Sequence, residues 1–214
     1  MNSKLFYKAI SGFYDLIGVI YFRDYENSPR KVVFEEVDDT NRVLDLCTGT
    51  ATNALKIAKA KPLTKVVGID LSEDMLEVAM AKMRKERVSN IRLYCMDARK
   101  MGFKDKYFDK ILLSLVLHEI DEDLAGQILY EAKRVLKDDG EIIVTEWERS
   151  NNFFRKIAFL PIELLEPKTF KRFVNKDLYS YFKSHSMDVV AENHCNYSRV
   201  LRLRKSKDYN IAKL

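Results

Sequence analysis

The chain has 214 residues, 47% of them hydrophobic, which is enough for one sizeable domain with its own core. Charged residues make up 32% and the two signs are finely mixed, so a net charge of +5 permits contact with an anionic surface without demanding it. Three cysteines, Cys47, Cys95 and Cys195, share no C-x-x-C spacing, which argues against a disulfide framework and fits reduced thiols in an intracellular, cytoplasmic protein.

No stretch approaches the length of a transmembrane helix, and the apolar run at Ile17 to Phe22 is too short, aromatic and charge-flanked for a signal peptide. Repeats and low-complexity linkers are absent, so a single domain over 1–214 is expected. Residues 3–35 read as helical, with Phe6, Ile10, Phe13, Ile17 and Ile20 on one stripe and Tyr7, Tyr14 and Tyr21 beside it. That pattern suits either a helix packed on a sheet edge or a cover over a cleft. Pro29 breaks it before a second helix, Arg30 to Val37.

Next comes a βαβ unit. Val43 to Leu46 is short and apolar enough for a buried parallel strand, a Gly/Thr turn follows, and Ala51 to Ala60 is rich in helix formers. Pro62 stops that helix, and Val66 to Ile69 forms a second strand ending on Asp70. In an open parallel sheet, ligands bind beyond the carboxyl ends of the strands. Gly49 there lets a ligand approach the backbone, and amides at the following helix start can bind polar groups. A carboxylate at Asp70 can accept hydrogen bonds from both hydroxyls of a ribose, and its distance from Asp45 is close to that of a nucleoside-binding fingerprint. The G-x-G-x-x-G pattern of a dinucleotide turn is absent. With Asp45 at its mouth, the loop suits a ligand bearing an amine and a cationic centre better than a pyrophosphate.

Val43-Leu44-Asp45-Leu46-Cys47-Thr48-Gly49-Thr50-Ala51 resembles the first motif of the class I S-adenosylmethionine-dependent methyltransferases, hydrophobic-Leu-Asp-hydrophobic-Gly-Cys-Gly-Thr-Gly. Cys47 and Ala51, both small, stand in place of two of its glycines. The resemblance implies a Rossmann-like, doubly wound α/β fold: seven strands in the order 3-2-1-4-5-7-6, the last antiparallel, with helices on both faces. It also implies a layout of 1–40 as an N-terminal helical cover, 41–148 as the cofactor-binding core, 149–177 as a helical insertion or lid, and 178–214 as a C-terminal helix and hairpin. Within the family, the ubiquinone/menaquinone and phospholipid branch is nearest, and Tyr14-Asp15 resembles a pair in the N-terminal cover of its quinone members.

The later elements keep that order. Ser72 is a good helix N-cap, with Glu73 and Asp74 in the first turn and Met75, Leu76, Ala79 and Met83 on the inner face. Ile91 to Cys95 is the third strand, followed by Met96-Asp97-Ala98, where the family's acid accepts the adenine amine. Phe108 to Leu113 is the fourth strand, and Ser114 to Glu119 should line the cofactor floor and part of the acceptor site. His118 is the candidate base there, with an ordinary pKa near neutrality; an orienting or structural histidine is the competing reading. Leu124 to Leu136 reads as a helix stopped by Lys137-Asp138-Asp139-Gly140, with Gly140 as the left-handed residue. Leu136 to Val144 resembles the family's signature before the fifth strand, which runs from Glu141 to Trp147 and carries Glu146 at its end, facing the acceptor side.

Residues 149–177 interleave Phe153, Phe154, Ile157, Phe159, Leu160, Leu164 and Leu165 with Arg155, Lys156, Lys168, Lys171 and Arg172, which suits a lid or acceptor-binding insertion, a simple packed helix pair, or a basic amphipathic segment at a lipid surface. A helix at Asp177 to Ser184 precedes strands at Met187 to Asn193 and Tyr197 to Leu203, joined as an antiparallel hairpin. His194-Cys195 lacks further metal-ligand spacing and reads as a turn, and no metal is expected.

The function implied is in-line methyl transfer from S-adenosylmethionine to a small-molecule or lipid-like acceptor. Asp45, Cys47, Thr48, Gly49, Asp70, Leu71, Met75, Asp97, Ala98 and Ser114 would hold the cofactor, Tyr14, Tyr21 and Glu146 the acceptor, and His118 the proton. An RNA methyltransferase competes, but Ser114-Leu115-Val116-Leu117 stands where an Asn-Pro-Pro-Tyr-like motif belongs, so nucleic acid is not the expected partner. A cofactor-binding subunit without turnover also competes, and an NAD-dependent dehydrogenase is disfavoured by the missing glycines. Oligomeric state is not encoded in any motif.

Overall fold

The structure, a computed structural model, describes residues 21–150, 152–165 and 168–207. Its elements, in chain order, are α1 (Pro29–Glu35), β1 (Arg42–Leu46), α2 (Thr52–Ala60), β2 (Lys65–Asp70), α3 (Glu73–Glu86), β3 (Ile91–Cys95), β4 (Phe108–Ser114), α4 (Glu122–Val135), β5 (Leu136–Trp147), α5 (Phe153–Leu165), α6 (Lys168–Val174), α7 (Leu178–Ser184), β6 (Met187–His194) and β7 (Ser198–Lys205). The strands form one sheet in the order β3-β2-β1-β4-β5-β7-β6. Pairs from β3 through β5 are parallel, and β7 runs antiparallel to both β5 and β6. This is the expected doubly wound order.

Side-chain alternation along the central strands sorts the core onto two faces. Leu44, Leu46, Ile111, Leu113, Ile142 and Val144 meet Ile128, Leu129 and Ala132 of α4 and Leu178 and Phe182 of α7. Val43, Val66, Leu112 and Ile143 meet Ala54, Leu55, Ile57 and Ala58 of α2, with Val33 of α1 and Ala79 of α3. Ser72 caps α3 as expected, accepting from the Met75 amide at 3.3 Å, and Asp121 and Asp177 cap α4 and α7 in the same way. A third cluster at the carboxyl edge joins Phe22 and Trp147 to Phe159, Ile162 and Phe170 of the α5–α6 segment.

Three local expectations are corrected. The second helix begins on Pro29, at the first helical position, and ends at Glu35. Ala51 precedes α2 as a left-handed residue and is not its first turn. At the α4–β5 junction the helix passes directly into strand at Leu136, and Gly140 is not among the left-handed residues. The β4–β5 register steps from Phe108↔Leu136 to Lys110↔Glu141, so residues 137–140 bulge from the ladder. Gly140 is needed for space: a Cβ there would lie 2.8 Å from the Asp109 carbonyl oxygen.

Candidate active site

A cavity of about 490 Å³ opens beyond the carboxyl ends of β1, β2, β4 and β5. Its floor is the loop after β1. There Cys47, Gly49 and Ala51, at alternate positions, all have left-handed backbones, with φ of 53°, 54° and 56°. Those are the three glycine positions of the motif, so the turn is kept although two of its residues now carry a Cβ. Gly68 makes room beneath it: a Cβ there would meet Thr48 Cγ2 at 3.0 Å and Leu93 Cδ2 at 2.8 Å. Thr48 can therefore lie across β2, its amide donating to the Ile69 carbonyl at 2.9 Å and its hydroxyl to Asp45 at 2.6 Å. A Cβ on Gly49 would meet nothing within 4 Å, so the backbone is bare where it faces the cavity.

Two acids define the polar half. Asp70, at the end of β2, accepts from the Gly49 amide at 2.8 Å and the Ser72 amide at 2.9 Å, tying the loop to the start of α3. Asp45 is 3% exposed. Burial pushes its carboxyl up to about 7, against the opposing pull of the Thr48 hydroxyl, and the charge of Asp70 pushes the same way. A cation in the cavity would relieve that cost. The Cys47 thiol is pushed up to about 12 by burial and by the nearby acids, which makes it a packing residue and no nucleophile.

The opposite wall is the turn after β4. Leu115 takes a left-handed backbone and donates to the Thr145 carbonyl at 2.8 Å. Glu146 of β5 is fully buried, accepting from the Val116 amide at 3.2 Å and the Leu117 amide at 2.8 Å, with His118 Nδ1 2.6 Å from its other oxygen. His118 lines the cavity, 1% exposed, its ring edge-on to Phe170 at 5.5 Å. The third wall is aromatic. Phe22 stacks on Trp147 at 5.6 Å, Arg30 lies over Phe22 at 5.4 Å, and Trp147 meets Phe159 at 5.8 Å. The cavity thus joins an acid-lined half with bare backbone to an aromatic half carrying one histidine. Such a site suits a cationic nucleoside beside a flat apolar molecule.

Among the residues expected at the site, Asp45, Cys47, Thr48, Gly49, Asp70, Met75, Ser114 and His118 line this one cavity. Leu71 is exposed next to Asp70, and Asp97 is forked onto Arg99 at 2.6 Å, which holds its carboxyl below the usual range. Ala98 is buried in the core. Tyr21 stands behind the wall, its hydroxyl donating to the Ala158 carbonyl at 2.8 Å and its ring against Trp147. Tyr14 lies outside the described residues. Glu146 is corrected: it faces inward onto the 116–118 turn and not outward to an acceptor. Glu119 lines it too, as expected of the segment after β4, whereas Phe22, Arg30, Asn53 and Trp147 also line the cavity and were not expected. Trp147 was detectable in principle, as the only tryptophan and at the end of the fifth strand. Away from the cavity, ligand atoms of Glu148, Glu192 and His194 gather within 4.8 Å, a juxtaposition that sequence spacing hid. Tyr179 and Arg199 already occupy Glu192 there.

Residues 43–140 match the family described as a methyltransferase domain. A demethylmenaquinone methyltransferase of Staphylococcus saprophyticus is 32% identical over 187 residues, spanning 85% of this chain and 78% of that one. The chain belongs to the class I S-adenosylmethionine-dependent methyltransferases. This methyltransferase is also 27% identical over 188 residues to a demethylmenaquinone methyltransferase of Bacillus subtilis, covering 86% of this chain and 80% of that one, and it lies near the branch holding both. A methyltransferase structure from Aquifex aeolicus shares the fold, with a TM-score of 0.72, 19% identity, and coverage of 92% and 97% of the two chains. The methyltransferase's cofactor is S-adenosylmethionine.

Proposed function

We propose that this enzyme methylates a small, flat, lipid-like acceptor of the quinol class, bound between the Phe22–Trp147 pair and His118. The observation that carries the reading is the single cavity in which that aromatic wall faces the Asp45–Asp70 floor. The names of the relatives support the acceptor class. Bound on that floor, S-adenosylmethionine supplies an electrophilic methyl group for in-line displacement.

Asp70 holds the ribose: each oxygen uses one lone pair on a backbone amide and keeps another for a hydroxyl. Asp45 offsets the positive charge, and the loop backbone at Cys47, Thr48 and Gly49 admits the amino-acid portion. Leu71, Met75 and Asp97 frame the base, with Ala98 in the core behind them, and Ser114 closes the floor. Tyr14 and Tyr21 belong to the covering side.

Glu146 does not touch the acceptor but positions His118. Glu146 accepts the Nδ1–H, which leaves the imidazole's basic lone pair on Nε2. That nitrogen takes the acceptor's hydroxyl proton, enriching the phenolate oxygen and the ring carbon beside it as nucleophiles. The aromatic walls keep water out. A cytoplasmic location accords with three free cysteines.

The deciding experiment offers S-adenosylmethionine with quinols, phospholipids, amines and RNA in parallel and measures S-adenosylhomocysteine. Turnover on the quinol is expected. Turnover on RNA alone, or cofactor binding with no turnover on any acceptor, overturns the reading.

A further inference from the structure

Helix α5 buries one apolar stripe and leaves a second one exposed. Phe159 and Ile162 are buried against the Trp147 cluster. On the outside, Phe153, Phe154, Ile157 and Leu160 are 69%, 78%, 51% and 51% exposed and fall along one stripe of the helix. Two adjacent phenylalanines so far out in water are costly to leave uncovered. The charge around them is one-sided. Residues 149–176 hold seven Lys and Arg against two Glu, so this segment alone accounts for the chain's whole net charge of +5. Arg155, Lys156, Lys171 and Arg172 are exposed, while Glu163 is tied to Arg149 at 2.7 Å. No helix among the described residues is long and apolar enough to cross a membrane.

We propose that the outer face of α5, with the basic residues of α5 and α6, docks on an anionic lipid bilayer. Aromatic and aliphatic side chains enter the headgroup–acyl boundary, and the surrounding cations meet the negative surface. The inner face of the same helix backs the aromatic wall of the cavity through Phe159 and Trp147. A lipid-like acceptor could then pass from the bilayer to the site with little exposure to water. That use rests on the acceptor class proposed above, whereas the docking itself rests on the exposed stripe and its charge.

The test is co-sedimentation of the full chain with vesicles of phosphatidylcholine alone or of an equal mixture with phosphatidylglycerol. The parent should pellet with the anionic vesicles, stay in solution with the neutral ones, and be released by salt. Phe153→Ser with Phe154→Ser, and separately Lys171→Glu with Arg172→Glu, should each lower partition by at least about tenfold. Both should keep the parent's calorimetric affinity for S-adenosylmethionine, which certifies the fold. No pelleting of the parent with anionic vesicles, or variants that partition as it does, overturns the proposal. So does retention on RNA without retention on vesicles. A self-association that the serine variant abolishes, with vesicle binding unchanged, assigns the stripe to a second copy and overturns it too. Docking without turnover on any acceptor would refute only the functional reading; quinol turnover without docking would refute only this one.

Discussion

Burial of the Asp45 carboxyl pushes it up to about 7, so it is still protonated in part at neutral pH. Its folded pKa of about 7 stands above the ordinary 3.8, so protonation favours the fold. That contribution is complete below about pH 4 and is lost as pH rises through about 7. Asp45→Asn keeps an acceptor for the Thr48 hydroxyl and removes the titration. Its urea midpoint should stay flat across that window while the parent's declines, a difference of at most about 4 kcal/mol. Gly49→Ala separates backbone from sterics at the same loop. Its methyl group meets nothing, yet φ of 54° should cost about 1–2 kcal/mol in denaturant and weaken calorimetric binding of S-adenosylmethionine, since the methyl projects where the ligand lies. His118→Asn should lower kcat by about 10²–10⁴-fold with the cofactor's Kd unchanged. Equal kcat in that variant would remove the histidine from the chemistry. The acids and Gly49 were legible because the chemistry of a nucleoside floor leaves a local signature. Glu146 was not: β5 from Glu141 onward is buried on both faces, so alternation cannot say which way a side chain turns.

At the scale of elements, the α4–β5 junction shows a local signal losing to a tertiary contact. Lys-Asp-Asp-Gly after a helix reads as a left-handed stop, but the ladder with β4 extends Leu136 into strand and the four residues bulge, with Lys137 on Asp109 and Asp138 within 2.6 Å of Lys106. Gly140→Ala should therefore destabilise by about 1–3 kcal/mol through overpacking against backbone that cannot yield, measured by chemical denaturation. A variant as stable as the parent would return Gly140 to the role of a simple turn residue. The insertion was legible as helices with a mixed apolar and basic pattern. Which of its phenylalanines faced in was decided by partners distant in sequence, the Trp147 cluster for Phe159 and Phe170 and the main core for Phe173.

For the molecule as a whole, strand order is set by pairings between segments far apart in the chain. Periodicity marked the strands, but only the family resemblance placed β7 between β5 and β6. The cavity is assembled the same way, from β1, β2, β4, β5 and α1. Since those elements are spread through the fold, cofactor binding should stabilise the global unfolding transition and not one segment. At a ligand concentration one hundredfold above Kd the gain should be about 2.7 kcal/mol, seen as a single shifted calorimetric peak. A peak left in place by S-adenosylmethionine would contradict the site.

Glu146 also bears on how a used cofactor departs. By gripping two amides and an imidazole at once, it nails the turn after β4 to the middle of the sheet. A wall fixed in that way cannot swing to let a product out. The wall that carries His118 is therefore expected to keep its shape through the cycle, leaving any opening to the aromatic side, where Phe22, Trp147 and Phe159 meet through ring contacts.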